Sequence, residues 1–162
     1  MKKILITGGS GFIGTNLIEH LLKKTDAELL TFDINEPKID SHNRFWKRVD
    51  IREYEELREK IVEYKPDIVI HLAARTDLRG LTLKDYDANM TGVSNLLKAI
   101  DEAGTVQKAV FASSMYVCEP GYMPKDFEDY APHTLYGESK VETERRIKKA
   151  NPSYTWSIIR PT

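Results

Sequence analysis

Three glycines at regular spacing, Gly8, Gly11 and Gly14, stand between an apolar run and an amphipathic run near the start of the chain. The apolar run, Lys3–Thr7, predicts a buried strand, and Phe12–Lys24 has apolar residues at helical spacing. A strand that passes directly into a helix through glycines makes a tight turn, with backbone packed closely on backbone. The feature therefore predicts the strand–turn–helix unit with which parallel α/β sheets begin.

The rest of the chain repeats this alternation of short apolar and longer amphipathic runs. We predict an α/β fold with a doubly wound parallel sheet of six strands. The predicted strands are Lys3–Thr7, Glu28–Asp33, Phe45–Ile51, Asp67–Ala74, Lys108–Ser114 and Tyr154–Arg160. The predicted helices are Phe12–Lys24, Arg52–Tyr64, Thr82–Gly104 and Thr134–Ala150. The predicted core stripes of the first two helices are Phe12, Ile13, Leu17 and Leu21, and Tyr54, Leu57 and Ile61. Apolar composition predicts that Asp67–Ala74 is covered on both faces and that Tyr154–Arg160 is buried.

Length and composition exclude several classes of protein. The 162 residues predict one domain, and 41% hydrophobic residues suffice for a core. Lys and Arg number 24 against 25 Asp and Glu, so the net charge of −1 predicts no binding to nucleic acid. The only cysteine, Cys118, excludes an internal disulfide and indicates a cytoplasmic location. The N-terminal apolar run is too short for a signal peptide or a membrane span.

The glycine loop and a carboxylate downstream together predict a dinucleotide site. Amide groups at a helix N-terminus bind phosphate, and glycines let the backbone approach it. Asp33 ends the second predicted strand, 19 residues after Gly14, where its carboxylate can accept hydrogen bonds from both ribose hydroxyls. A 2′-phosphate would be repelled there, which favours NAD over NADP. The alternatives are a glycine-rich turn without a ligand and an Asp33 that only caps a turn.

A tyrosine and a lysine four residues apart predict acid–base chemistry. Tyr136 and Lys140 share one face of a predicted helix, and a neighbouring ammonium lowers the pKa of a phenol. The pair would then donate and accept protons near neutral pH. Ser113 and Ser114, at the end of a predicted strand, offer hydroxyls to a carbonyl. The alternatives are an ordinary surface helix and serines bonded to their own loop.

Several motifs taken together resemble the extended short-chain dehydrogenase/reductases, the NAD-dependent epimerase/dehydratase family that mostly modifies nucleotide sugars. The motifs are TGGSGFIG, VDIR, HLAA, NMTGVSNLL, SSMYV, YGESK and IIRPT, and they run from Lys3 to the last residue. The resemblance implies a Rossmann-like cofactor domain over residues 1–162, with NAD as cofactor and no metal. It implies an epimerase or related oxidoreductase that acts on a nucleotide sugar through a transient keto intermediate. Members often pair the helices that here carry Asn89 and Tyr136, so a homodimer is also considered.

The resemblance also implies a role for each matching residue. Ser114 would bond the reacting sugar oxygen, Tyr136 would be the catalytic acid/base, and Lys140 would hold the nicotinamide ribose. Arg160 and Pro161 would lie beside the nicotinamide. The implied cofactor-binding residues are Gly8, Gly11, Phe12, Ile13, Gly14, Asp33, Asp50, Ile51, Leu72, Ala73, Ala74, Asn89, Tyr136 and Lys140. Asp50 and Ile51 would face the adenine.

Three departures from the family pattern qualify these expectations. Met115 and Tyr116 stand where sugar 4,6-dehydratases have acidic residues, which favours an epimerase or a reductase. Cys118 and Glu119 replace a frequent Tyr-Gly, so the loop there takes another path, and Cys118 is expected to be a small buried apolar residue. The chain also stops at Thr162, where the family continues into a substrate-binding half. We therefore expect a truncated chain with little activity and with exposed apolar surface.

Two other functions stay open from the sequence. A non-catalytic regulatory or scaffold domain would bind NAD without chemistry, and it would have no need of Ser114, Tyr136 and Lys140 together. A single-domain reductase with a complete small site is the other alternative, and the glycine spacing opposes it.

Overall fold

The structure is a computed structural model that describes residues 1–162, and it contains a six-stranded parallel sheet in the order β3-β2-β1-β4-β5-β6. The strands are β1 Lys3–Thr7, β2 Glu28–Asp33, β3 Trp46–Arg48, β4 Ile68–His71, β5 Lys108–Ala112 and β6 Thr155–Ile159. The helices are α1 Phe12–Lys24, α2 Tyr54–Tyr64, α3 Asp87–Ala103 and α4 Leu135–Ala150. The doubly wound α/β fold predicted from the sequence is confirmed.

The helices cover the two faces of the sheet unequally. Helices α2, α3 and α4 pack side by side, and their buried residues join β1, β4 and β5 in a core cluster of 15 residues. The other face carries α1 and a cluster of only four buried residues, Ile4, Ile6, Ile18 and Leu29. Most of the buried apolar surface, and with it most of the hydrophobic stabilisation, therefore lies on the three-helix side.

Because the helices cover the two faces of the sheet unequally, three expectations about burial are wrong. Strand β4 alternates, with Val69 and His71 buried while Ile68 and Ile70 are only half-buried, so it is not fully covered on both faces. Strand β6 is the edge strand and is nowhere fully buried. In α1, Phe12 is 79% exposed and Ile13 is 47% exposed, whereas Leu17 and Leu21 do pack on the smaller cluster. On α2 the predicted stripe is confirmed, with Leu57 and Ile61 buried and Tyr54 packed against them.

Local signals at the helix ends explain most of the boundaries. Helix α3 ends at Gly104, which adopts a left-handed conformation at φ 63°, as the sequence predicts for a C-cap. Helix α4 begins after Thr134, whose hydroxyl accepts a hydrogen bond from the Gly137 amide. The predicted start of α3 at Thr82 is instead a 3-10 turn, Leu83–Tyr86, closed by a capping box between Thr82 and Asp85.

The strand order reverses direction between β1 and β4, and this switch point determines where a ligand can bind. Strand β1 lies at the centre, with β2 and β3 on one side and β4, β5 and β6 on the other. The loops that follow β1 and β4 leave the same edge of the sheet in opposite directions and open a crevice there. None of the helices has the length and apolar character that crossing a membrane requires.

Candidate functional site

The glycine loop after β1 is packed directly against the loop after β4. Gly8 has φ 78°, and a side chain at this position would meet the Ala73 nitrogen at 2.6 Å. A side chain at Gly14 would meet the Gly8 carbonyl oxygen at 2.3 Å, so α1 starts with its backbone against the loop. Both glycines are therefore required by close backbone packing, as the sequence predicts.

The N-terminus of α1 has the properties of an anion site. Gly11 is the N-cap and no side chain caps the helix, so the first amides are available to a ligand. A side chain at Gly11 would meet only the Gly8 carbonyl oxygen, at 3.3 Å, so the space above it is open. The side chains of Phe12 and Ile13, in the first turn of α1, are exposed. This cradle fits the pyrophosphate of a dinucleotide.

Asp33 lies at the end of β2 beside the glycine loop. Its Oδ2 accepts a hydrogen bond from the Ser10 amide at 3.0 Å, and its Oδ1 accepts one from the Asn35 amide at 2.9 Å. The carboxylate thus holds the glycine loop and its own turn in place. A carboxylate oxygen accepts more than one hydrogen bond, so Asp33 can also receive ribose hydroxyls.

Asp50 and Ile51, which are predicted to face an adenine, both make contacts within the protein. The Arg52 guanidinium donates to both carboxylate oxygens of Asp50, and these hydrogen bonds lower the pKa of Asp50. The Ile51 side chain belongs to the main core cluster, so only its backbone is left for a ligand. The guanidinium of Arg52 is the additional group that sequence reasoning missed at this position.

The residues after β4 form the floor of the crevice. The Leu72 amide donates to the Thr7 carbonyl oxygen, and the Ala73 amide donates to the Thr7 hydroxyl at 3.3 Å. Leu72, Ala73 and Ala74 are half-buried and follow the strand end next to Gly8. Their predicted position at the crevice is consistent with contact through backbone.

Asn89 is fully engaged inside the protein. Its side-chain oxygen accepts from the Arg75 amide at 2.8 Å, and its nitrogen donates to the Arg75 carbonyl oxygen and to Ser139. The side chain is 1% exposed. Asn89 therefore fixes the loop after β4 against α3 and α4, and its contact with a cofactor stays a prediction.

Tyr136 lies at the centre of a group of aromatic rings. The rings of Tyr116 and Tyr86 have their centroids 5.7 and 6.1 Å from that of Tyr136. Tyr116 also stacks on His133, with 5.8 Å between centroids. Tyr86 was missed by sequence reasoning because no local pattern distinguishes it from a core residue.

The predicted pair of Ser114 and Tyr136 is brought together, whereas Ser113 is turned away. The Ser114 hydroxyl accepts from the Tyr116 amide at 3.2 Å and is near enough to Tyr136 to favour its phenolate. Ser113 is 5% exposed and its hydroxyl is buried, so it does not offer a hydrogen bond to a substrate. This corrects the expectation for Ser113.

Lys140 does not lower the pKa of Tyr136 as expected. Its ammonium donates to the Ala112 carbonyl oxygen at 2.6 Å, at the end of β5. Burial raises the pKa of Tyr136, with Ser114 acting in the opposite direction. Burial also lowers the pKa of Lys140 to about 8, against the opposing negative charge of Glu144. The lysine is 3% exposed and faces the same strand end as Ser114.

The Arg160 side chain turns back into the protein instead of toward the crevice. Its guanidinium forms two hydrogen bonds with Glu144, a buried acid on α4 that sequence reasoning missed. A second missed pair is Thr7 with His71, whose side chains lie 2.6 Å apart inside the sheet. The signal available in the sequence is the spacing of Glu144, four residues after Lys140 on the same helix.

Comparison with known proteins identifies the family that the sequence motifs resemble. The model of the NAD dependent epimerase/dehydratase family matches residues 4–162. A UDP-glucose 4-epimerase of Neisseria meningitidis serogroup C is 35% identical over 98% of this chain and 51% of that protein. A 3-beta-hydroxysteroid dehydrogenase of Mycolicibacterium neoaurum is 30% identical over 93% of this chain and 44% of that protein. The crystal structure of the UDP-glucose 4-epimerase of Thermus thermophilus with NAD superposes with a TM-score of 0.80 at 29% identity, covering 98% of this chain and 54% of the other.

The crevice, the glycine loop and the matched family model define a nucleotide-binding α/β protein of the epimerase/dehydratase class. The chain belongs to the NAD dependent epimerase/dehydratase family. It spans about half the length of the relatives that it matches.

Proposed function

We propose that this chain is the NAD-binding part of an epimerase or related oxidoreductase that acts on a nucleotide sugar. The observation that supports this most directly is the convergence of two sets of residues on one sheet edge. The glycine loop and Asp33 lie at the ends of β1 and β2, while Ser114, Tyr136 and Lys140 surround the end of β5. Because parallel strands share one carboxyl edge, a dinucleotide laid along it reaches from the first set to the second.

The protein groups are suited to holding a hydroxyl during removal of its proton. In its phenolate form Tyr136 would take the proton from the sugar hydroxyl and become a phenol, while the Ser114 hydroxyl would donate a hydrogen bond to the reacting oxygen. Bound NAD would supply the acceptor for the hydride that leaves the carbon bearing that hydroxyl. A keto-sugar results, and re-reduction on its other face gives the epimer. Met115 and Tyr116 cannot act as the carboxylate pair of a dehydratase.

The proposed role of Lys140 is to provide a positive charge close to the cofactor. Its ammonium lies at the end of β5 and bonds only one carbonyl oxygen, so further donors are available to ribose hydroxyls. With a pKa of about 8 it is charged at neutral pH and loses that charge above it. Binding of NAD should therefore weaken as the pH rises through about 8.

A direct test is NAD binding by isothermal titration calorimetry on the chain and on Asp33→Ala. We expect binding by the unchanged chain and its loss in the variant, because the ribose loses its acceptor. Asp26→Ala is the matched control: this exposed carboxylate follows α1 and should leave affinity unchanged. A folded chain that does not bind NAD would disprove the proposal.

The rival function is that of an NAD-binding regulatory or scaffold domain. Turnover by a longer protein that contains this chain distinguishes the proposed enzyme from this rival. In such a protein Tyr136→Phe should abolish epimerisation or reduction of a nucleotide sugar while NAD affinity is kept. Normal turnover in that variant would contradict the mechanism. Pairing of two copies through α3 and α4 in a homodimer and a cytoplasmic location remain proposals that rest on family resemblance.

A further inference from the structure

A buried ion pair joins α4 to the end of β6 behind the predicted catalytic residues. Glu144 is 1% exposed. Its two carboxylate oxygens accept hydrogen bonds from Nε and Nη2 of Arg160, both at 2.8 Å. The Tyr130 hydroxyl donates to Oε2 of the same carboxylate at 2.9 Å. Burial alone would raise the pKa of Glu144, but the Arg160 guanidinium and the Ser113 and Tyr130 hydroxyls outweigh burial and lower it.

The same network secures the loop that precedes α4. Arg160 also donates to the Phe127 carbonyl oxygen at 2.7 Å, and Lys148 donates to the Tyr130 hydroxyl at 2.9 Å. A buried ion pair contributes little net stability compared with apolar residues of similar size, because both charges lose their hydration. What it does provide is a fixed geometry between three segments: α4, the end of β6 and the loop.

Lys140 lies one helical turn before Glu144, and hydrogen bonds connect the surroundings of Lys140 to the ion pair. The end of β5, near which Lys140 lies, is bonded to the end of β6, which leads into Arg160. The Ser113 amide donates to the Ile159 carbonyl oxygen at 2.6 Å. Lys140 in turn bonds the Ala112 carbonyl oxygen, the neighbour of Ser113. We propose that Glu144 is a positioning residue, whose ion pair with Arg160 holds this turn of α4 so that the Lys140 ammonium stays at the end of β5. The proposal rests on the proposed function, in which Lys140 binds NAD.

The charged groups that face Lys140 are few. Glu144 on α4 supports its positive charge, and His71 on β4 lies close enough to feel that charge. Burial keeps His71 neutral by lowering its pKa to about 3, so only Glu144 offsets the burial of the lysine. Removal of the Glu144 charge should therefore shift the titration of Lys140 to lower pH.

The test uses the double variant Glu144→Met/Arg160→Met, which removes both charges and leaves neither one buried alone. We expect its melting temperature to equal or exceed that of the unchanged chain, while NAD affinity falls roughly tenfold. The control is Glu142→Met/Arg146→Met, a partly exposed ion pair at 2.8 Å on the same helix, which should leave affinity unchanged. An unchanged affinity in the Glu144→Met/Arg160→Met variant would overturn the proposal.

A second measurement does not depend on NAD. Nuclear magnetic resonance of the chain labelled with ¹³C-lysine, with Lys140 assigned through Lys140→Arg, gives its titration midpoint. We expect the midpoint to fall below its value of about 8 in the Glu144→Met/Arg160→Met variant, and to stay in place in the control. A midpoint that does not move overturns the positioning role. If the unchanged chain fails to bind NAD, the proposed function fails, while a lowered midpoint still supports control of Lys140 by Glu144.

Discussion

Tyr136 is 8% exposed and Lys140 is 3% exposed, and burial shifts the pKa values of the two groups in opposite directions. Burial raises the pKa of the phenol and lowers that of the ammonium, because it stabilises the neutral form of each group relative to the charged form. The sequence places the two residues one turn apart, but it does not specify where the long lysine side chain points. Its contact with Ala112, rather than with the phenol, is decided by packing that no local pattern records.

Replacing Ser114 tests the electrostatics of Tyr136. The Ser114 hydroxyl lowers the pKa of Tyr136 against the effect of burial, so Ser114→Ala should raise the titration midpoint further. Resonances of ¹³C-labelled tyrosine rings, assigned through Tyr136→Phe, report the midpoint. Ser153→Ala, an exposed serine after α4, is the control and should have no effect. A midpoint below that of a free tyrosine in the unchanged chain would show that burial does not dominate.

At the scale of elements, local chemistry predicted the bounds of the first three elements best. The bounds of β1, α1 and β2 are those predicted, because glycines, charges and strand alternation mark their ends. Strands β4 and β5 end earlier than predicted, since Leu72–Ala74 and Ser113–Ser114 belong to the loops that follow them. The sequence does not reveal which face of a strand a helix will cover, and so the exposure of β6 was not predicted.

Two glycines of the β1–α1 unit should respond differently to alanine. In Gly14→Ala the new methyl group meets the Gly8 carbonyl oxygen at 2.3 Å, and neither backbone segment can yield easily. We expect a loss of about 3 kcal/mol in the free energy of unfolding, measured by denaturant titration.

Gly11→Ala is the matched substitution in the same loop. Its methyl group meets the same oxygen at 3.3 Å and otherwise points into open space. We expect a loss under about 1 kcal/mol in stability but a clear loss of NAD affinity, because the methyl group occupies the approach of the pyrophosphate. Equal loss of stability in the two variants would contradict this account of the loop.

At the scale of the whole molecule, a buried histidine links folding to pH. Burial lowers the pKa of His71 to about 3, whereas in the unfolded chain it is near 6.5. The unfolded state therefore binds one more proton between these values, and stability falls as the pH falls through that window. The slope from this residue is about 1.4 kcal/mol per pH unit.

Denaturant titrations at several pH values measure that slope. In His71→Gln, which cannot bind the proton, the slope between about pH 3 and 6.5 should decrease by the contribution of His71. His20→Gln replaces an exposed histidine and is the control. An unchanged slope in His71→Gln would mean that the buried histidine is charged in the folded state.

The edge strand β6 predicts association between copies. Its unpaired edge and Ile159, which is 43% exposed, offer a surface for strand pairing and apolar contact. We expect concentration-dependent association in sedimentation velocity experiments, reduced by Ile159→Lys. Thr155→Lys adds the same charge to the same strand face without removing apolar surface, and it should reduce association less. Sedimentation as a single monomer at all concentrations would contradict the prediction.

The strand order also sets a sequence of events while the chain is being synthesised. The first strand made is the central one, and the next two add on one side of it, with α1 over the smaller cluster. The main cluster includes Phe111 of β5 and Ile147 of α4, so it cannot be completed until Ile147 has left the ribosome. We expect the nascent chain to become resistant to protease in two stages, the second one only after α4 has emerged.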